Sequence, residues 1–99
     1  MRTVIFSREA EADIDQIAAY TLEAWGVTQT DAYLAKLEDS FDLLASNPQM
    51  GRAADEIRPR LRRFEIERHI VFYENREDAV FIVRVLHQAM LAAPVRFEL

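Results

Sequence analysis

The chain opens with a short apolar run, and its next apolar residues recur every three or four positions. Residues 2–6 are apolar enough to form a strand. From residue 8 to 25, one face of a helix collects the apolar positions Ile14, Ile17, Ala18, Leu22 and Trp25. Ser7 is a favourable N-cap, and Gly26 suits a C-terminal cap. The pattern therefore predicts a strand followed by a helix that ends at Gly26.

A second helix is predicted to begin at Thr28, as its N-cap, and to end at Asn47-Pro48. The residue before a proline is pushed out of helical geometry, which explains the end. Its apolar stripe consists of Leu34, Leu37, Phe41 and Leu44. Because only Gly26 and Val27 separate the two helices, they are expected to turn back on each other as an antiparallel hairpin.

The second half of the chain has the composition of β-strands. After an irregular segment, residues 48–59, the alternation of Leu61–Ile66 predicts one strand. Arg68–Tyr73 and Val80–His87 are rich in β-branched and aromatic residues and are joined by a polar link. These two arms predict an antiparallel β-hairpin.

The order of elements predicts an α+β fold, with an N-terminal strand, an antiparallel helical hairpin and a three-stranded antiparallel meander that completes a small, mostly antiparallel sheet. We expect a single domain over residues 1–99, with a tail over 88–99 in which Pro94 limits any helix. Both arms of the β-hairpin are apolar on both faces, whereas a half-solvated strand alternates. One sheet face is therefore expected to be left uncovered for a partner. Depending on the register, it would offer Val80, Ile82 and Leu86, or Val71 and Tyr73.

Composition restricts the classes of function. The chain has no Cys and two His, so neither a disulfide framework nor a metal site is expected. The chain has no Gly-rich phosphate-binding loop, so no cofactor is expected. It also has no apolar run long enough for a membrane span, and we expect a cytoplasmic protein. Residues 1–51 carry three basic and nine acidic residues (net −6), and residues 52–99 carry nine and eight (net +1). An acidic chain with a local arginine cluster, Arg52–Arg63, suits a specific protein partner better than general nucleic-acid binding.

Several segments together resemble a known family. They are Ser7–Ile14, Trp25-Gly26, Asn47–Arg52, Leu61–Phe64, Arg68–Tyr73 and Ile82–Met90. Their order and spacing resemble the ParE branch of the ParE/RelE toxins of bacterial type II toxin–antitoxin systems. The resemblance implies a toxin that inhibits DNA gyrase by protein–protein binding. It also implies neutralisation by a ParD-like antitoxin, a ribbon-helix-helix DNA-binding protein whose C-terminal helix and extended stretch wrap the toxin in a hetero-oligomeric complex.

The resemblance leaves two main alternatives for the site. A protein-binding toxin without catalytic residues would contact its partners through Arg58, Arg60, Arg63, Tyr73, Ile82, Arg84, Leu86, His87 and Met90. The sister branch, which includes RelE and YoeB, consists of ribosome-dependent messenger-RNA endoribonucleases, which need cations and a general acid or base. Those roles would fall to Arg62, Arg63, Arg84 and His87. A third alternative is an inert relative that binds only an antitoxin, and we favour the non-enzymatic toxin.

Three further residues receive a structural interpretation. Trp25 and Phe41 are predicted to pack in the core between the helices, and anchoring of an interface is the alternative. His69 lies on a strand beside Arg68, and we predict that it is a hydrogen-bonded structural histidine.

Overall fold

A computed structural model describes residues 2–92 of the chain. Its helices are α1 (Arg8–Trp25) and α2 (Val27–Ser46), and its strands are β1 (Thr3–Phe6), β2 (Arg52–Ala53), β3 (Leu61–Ile66), β4 (His69–Asn75) and β5 (Ala79–His87), followed by a 3-10 helix over Gln88–Ala92. The α+β fold and the order of its elements are as predicted, except that the short strand β2 was not foreseen. The expectation about Pro94 lies outside the described residues.

The sequence around Ser7 and Gly26 explains where the helices begin and end. The side-chain oxygen of Ser7 accepts a hydrogen bond from the backbone N–H three residues later, at 2.9 Å. Gly26 alone joins the helices, with a positive φ of 88° that favours glycine. Its carbonyl accepts hydrogen bonds from both the N–H and the hydroxyl of Thr30. Because Gly26 caps both helices, α2 already begins at Val27, and the prediction of Thr28 as its N-cap was wrong.

The strands form one mixed sheet in the order β1-β5-β4-β3-β2. Only the β1–β5 pair is parallel, so the sheet is mostly antiparallel, as predicted. Strand β1 pairs with β5 only as far as Ile82, because the chain turns into α1 at Ser7. Ser7 donates its N–H to the Ile82 carbonyl and its hydroxyl to the Val83 carbonyl. Within residues 2–92, the rest of β5 therefore has no strand neighbour on this side.

Apolar clusters lie on both faces of the sheet, because successive residues of a strand point to opposite faces. The helices contribute to one cluster, in which Ile17, Leu37, Phe41 and Leu44 pack with Val71, Tyr73, Val80, Ile82 and Val85. The other cluster contains Ala54, Leu61, Ile70, Phe72, Val83 and Leu86. All five residues predicted for an uncovered face are at most 1 % exposed. That prediction was wrong, because the chain itself buries both faces of the hairpin.

The tip of the helical hairpin is exposed. Phe41 is only 5 % exposed, which confirms its predicted place in the core. Trp25 is 55 % exposed, so its predicted place in the core was wrong. No residue between Ile17 and Thr30 is buried, because nothing in the described chain covers this part of the hairpin. Neither helix has the length and apolar character needed to cross a membrane.

Candidate functional site

Arg84, a candidate for both kinds of site, is held by a buried carboxylate. Asp13 accepts hydrogen bonds from Arg84 Nε at 2.8 Å and from Arg84 Nη2 at 2.9 Å. The same carboxylate accepts the backbone N–H of Val85 at 2.9 Å, where β5 lacks a strand neighbour. Bidentate contacts of this kind are strong and directional. Arg84 therefore has a structural role in fastening α1 to the open edge of β5.

The remaining arginines of the candidate nuclease set point to separate partners. Arg62 donates to the Gln49 carbonyl at 3.0 Å and also to the Gly51 carbonyl. Arg63 lies 3.4 Å from Glu65 and 5.8 Å from the Phe72 ring centre. Along a strand, neighbouring residues point to opposite faces, so the two arginines diverge.

Three of the five arginines in the predicted cluster are paired with carboxylates. Its ion pairs are Arg52 with Glu65, Arg63 with Glu65, and Arg58 with Glu74, which also binds Arg76. Arg60 is exposed, and its backbone N–H donates to Asp55 at 2.9 Å. Because the two carboxylates are shared by four arginines, this surface keeps an excess of positive charge. The role of Arg58, Arg60 and Arg63 in binding a partner stays a prediction.

Tyr73 serves as an internal anchor for the segment after α2. Its hydroxyl donates to the Pro48 carbonyl at 2.7 Å and accepts the Gly51 N–H at 3.0 Å. A Cβ at Gly51 would lie 2.6 Å from the Arg63 carbonyl oxygen, so only glycine permits this approach. The predicted partner contacts Tyr73, Ile82 and Leu86 are all buried within the chain, so they are corrected to core residues.

The other predicted contacts lie along a groove of about 840 Å³ between α1 and the end of β5. It contains Arg84, His87 and Met90, which the sequence singled out, and residues that it did not. The α1 side contributes Glu9, Ala12, Asp13, Gln16, Ile17, Tyr20, Thr21 and Trp25, and the other sides contribute Gln29, Tyr33, Lys36, Glu67, Arg68, His69 and Val85. Three of the apolar side chains are largely exposed, namely Tyr20 (69 %), Trp25 (55 %) and Met90 (47 %).

A histidine–tyrosine cluster lines one part of the groove. Tyr33 Oη accepts the Arg68 N–H at 3.4 Å and lies 2.5 Å from His69 Nδ1. The short contact between the hydroxyl oxygen and the ring nitrogen is a hydrogen bond that joins Tyr33 to His69. His69 and His87 stack edge to face at 5.2 Å. His69 is therefore a hydrogen-bonded histidine of the structure, as its sequence context predicted.

The surroundings of His69 disfavour its charged form. Burial, followed by the nearby His87 and Arg68, lowers the pKa of His69 to about 4. Burial also raises the pKa of Tyr33. His87 Nδ1 accepts the N–H of Ala89 at 3.0 Å. Within residues 2–92, no three His, Asp or Glu side chains come together as metal ligands.

The sequence offered a partial signal for the groove residues that it missed. Tyr20 follows Gln16 by one helical turn, so an aromatic residue continues a polar stripe of α1. Trp25 was assigned to the core because its spacing from Ile14 and Ile17 is helical. Arg68 gave no signal, because its position over the Trp25 ring, 5.9 Å from the ring centre, depends on the tertiary fold.

Comparisons with known proteins agree on one family. The model described as "ParE toxin of type II toxin-antitoxin system, parDE" matches residues 4–92. Toxin ParE1 of Mycobacterium tuberculosis (strain ATCC 25618 / H37Rv) is 41 % identical over 87 residues, which is 87 % of this chain and 89 % of that protein. Toxin ParE1 of Caulobacter vibrioides is 38 % identical over 93 % of this chain and 95 % of its own length. A chain from the solved "Chromosomal ParDE TA system from P. aeruginosa" has the same fold, with a TM-score of 0.75 at 19 % identity over 88 % of this chain and 96 % of that one.

Proposed function

The chain belongs to the ParE family of toxins from type II toxin–antitoxin systems, and from this premise we propose that it inhibits DNA gyrase by protein–protein binding, without chemistry of its own. A ParD-like antitoxin, a ribbon-helix-helix DNA-binding protein, holds it inactive in a hetero-oligomeric complex in the cytoplasm. The antitoxin places an amphipathic segment in the groove beside α1. The family resemblance supports DNA gyrase as the target, and the groove supports binding of a protein segment.

The groove is the observation that carries this proposal. From Glu9 to Trp25, its α1 wall spans 17 residues. The two end residues are about 24 Å apart at the rise of an α-helix. That length matches four to five turns of a partner helix. Tyr20, Trp25 and Met90 offer exposed apolar surface to such a helix, and a helix lying in an apolar groove is a recurrent mode of peptide recognition. Aromatic residues of this kind commonly dominate the binding energy of an interface.

The contacts of the candidate nuclease residues favour a toxin that works by binding. Arg84 would have to leave Asp13 before it could stabilise a reacting phosphate. Leaving a buried carboxylate without its partner costs about 3–5 kcal/mol. Arg62 and Arg63 point to opposite faces of β3. His87 is the last residue of β5, whereas β1 pairs with the beginning of that strand. We therefore treat the ribosome-dependent endoribonuclease as the alternative that the test below must exclude.

Inducible expression of the chain without its antitoxin tests the proposal. We expect filamentous cells and trapped gyrase–DNA complexes, and co-expression of the antitoxin encoded beside the toxin should prevent both. Inhibition of supercoiling by purified gyrase should follow the same pattern. Rapid arrest of translation with cleaved messenger RNA would instead establish the nuclease. A normal growth rate, with the protein present and folded, would identify an inert relative.

A further inference from the structure

The groove has one unpaired charge towards each end. Four of its charged residues form neutral pairs, Asp13 with Arg84 and Lys36 with Glu67. Within residues 2–92, neither Glu9 nor Arg68 takes part in an ion pair. Glu9 lies in the first turn of α1, where Glu9 and Glu11 together outweigh Arg8 and the partial positive charge of the helix N-terminus. Arg68 lies over Trp25 at the last residue of α1, so the groove is negative at one end and positive at the other.

The backbone of Arg68 is held in place on both sides. Its N–H donates to the Tyr33 hydroxyl at 3.4 Å, and its carbonyl accepts the N–H of Gln88 at 2.9 Å. Its guanidinium lies 5.9 Å from the centre of the Trp25 ring, within the range of a cation–π contact. A guanidinium held in this way presents a fork that matches a carboxylate. A partner could therefore place a carboxylate on Arg68 and an aliphatic side chain on Trp25 together.

We propose that the groove binds its occupant in one direction, with the acidic end of the occupant at Arg68 and its basic end at Glu9. The inference rests on the proposed function, in which the occupant is an amphipathic helix of the antitoxin. Glu9 and Trp25, over which Arg68 lies, are about 24 Å apart along the axis of α1, well beyond the Debye length of about 8 Å in physiological salt. Each end therefore selects its own partner charge, and a reversed helix would meet like charges at both ends. Such charges mainly give specificity and a defined register.

The direction of binding can be measured because Trp25 is the single tryptophan of the chain. The probe is a synthetic 18-residue helical peptide with a leucine stripe, glutamates at one end and lysines at the other. Two versions carry a nitroxide quencher at either the acidic or the basic end. We expect the label at the acidic end to quench Trp25 at least about threefold more strongly, since exposed charges provide only modest discrimination. The preference should weaken in high salt.

A double charge reversal provides the decisive variant. Glu9→Lys combined with Arg68→Glu breaks no ion pair of the described chain, so the fold should be retained. We expect the quenching preference to invert in this variant, whereas Glu77→Lys, at an exposed charge outside the groove, should leave it unchanged. Equal quenching by both labels, or a preference that survives the reversal, would overturn the proposed direction while leaving groove binding intact. No quenching by either label would remove the groove as a helix site, and gyrase inhibition by the free toxin would still decide the proposed function separately.

Discussion

The β4–β5 hairpin and the tip of the α1–α2 hairpin carry similar large apolar side chains in opposite environments. Ile82 and Tyr73 are buried, whereas Tyr20 and Trp25 are largely exposed. The apolar cluster between the helices and the sheet buries the first pair, and nothing in residues 2–92 covers the second. The proposed binding surface is therefore marked by exposed aromatic residues beside a groove and not by the most apolar segment of the sequence.

The largest expected effect separates these two regions directly. Ile82→Asp places a charge in the core and should lower the free energy of unfolding by at least about 4 kcal/mol, enough to unfold a marginally stable domain. Trp25→Asp should change it by less than about 1 kcal/mol, because Trp25 is exposed. Urea unfolding followed by circular dichroism measures both. A folded Ile82→Asp variant with the same free energy of unfolding as the unmodified protein would contradict the burial of this hairpin.

The next effect concerns the point where α1 is fastened to β5. Asp13→Ala leaves Arg84 and the N–H of Val85 without their shared carboxylate, so the free energy of unfolding should fall by about 3–5 kcal/mol. Asp15→Ala, an exposed position on the same helix, should have little effect. If the two variants have the same urea midpoint, the Asp13 contacts do not fasten the helix.

A smaller effect distinguishes an internal tyrosine from one that lies in the groove. Tyr73→Phe removes the hydroxyl that bonds to Pro48 and Gly51, which leaves both backbone groups unpaired and should cost about 1–2 kcal/mol. Tyr20→Phe should leave the free energy of unfolding unchanged, because this hydroxyl is at the surface. Equal stabilities of the two variants would contradict the anchoring role of Tyr73.

The last expected effect is a dependence of the free energy of unfolding on pH that originates from His69. Its pKa is about 4 in the folded chain, below the usual 6.5 of an unfolded one. Between these values only the unfolded chain takes up the proton, so stability should fall as the pH drops from about 6.5 towards 4. Thermal unfolding of His69→Gln should show a shallower fall in this range than the unmodified chain. An identical pH profile for both proteins would exclude His69 as its source.

The sequence predicted the elements well because their signals are local. The Ser7 cap, the Gly26 turn and the end of α2 at Asn47-Pro48 each depend on a few neighbouring residues. The β3–β4–β5 meander followed from its β-branched composition. Strand β2 was missed because Arg52-Ala53 is too short to show a pattern and is defined by its pairing with β3.

The faces of β5 were harder to predict, because the strand contains a bulge. Tyr73 pairs with Ile82 and Phe72 pairs with Arg84, so Val83 is an extra residue on β5. This shift places Ile82 and Val85 in the same cluster although they are three residues apart. The strict alternation of side chains between the two faces of a strand does not hold across a bulge. A prediction that assumes this alternation therefore assigns apolar residues to both sheet faces and leaves one face uncovered.

The groove depended on contacts between distant segments. Its members Trp25, Tyr33 and Arg68 come from α1, α2 and the β3–β4 turn, which meet only in the folded chain. Helical spacing correctly placed Trp25 on the apolar side of α1. It gave no information on whether another layer covers that side at the tip of the hairpin.

The affinity for the proposed ParD-like antitoxin, measured by calorimetry with matched variants of α1, tests the central claim most directly. Leu22 is the matched control, because it is exposed on the same helix but does not line the groove. Trp25→Ala should weaken binding at least about tenfold, as expected for an aromatic anchor, while Leu22→Ala should stay within about twofold of the unmodified protein. An unchanged affinity of the folded Trp25→Ala variant would contradict the claim that the groove beside α1 is the docking surface.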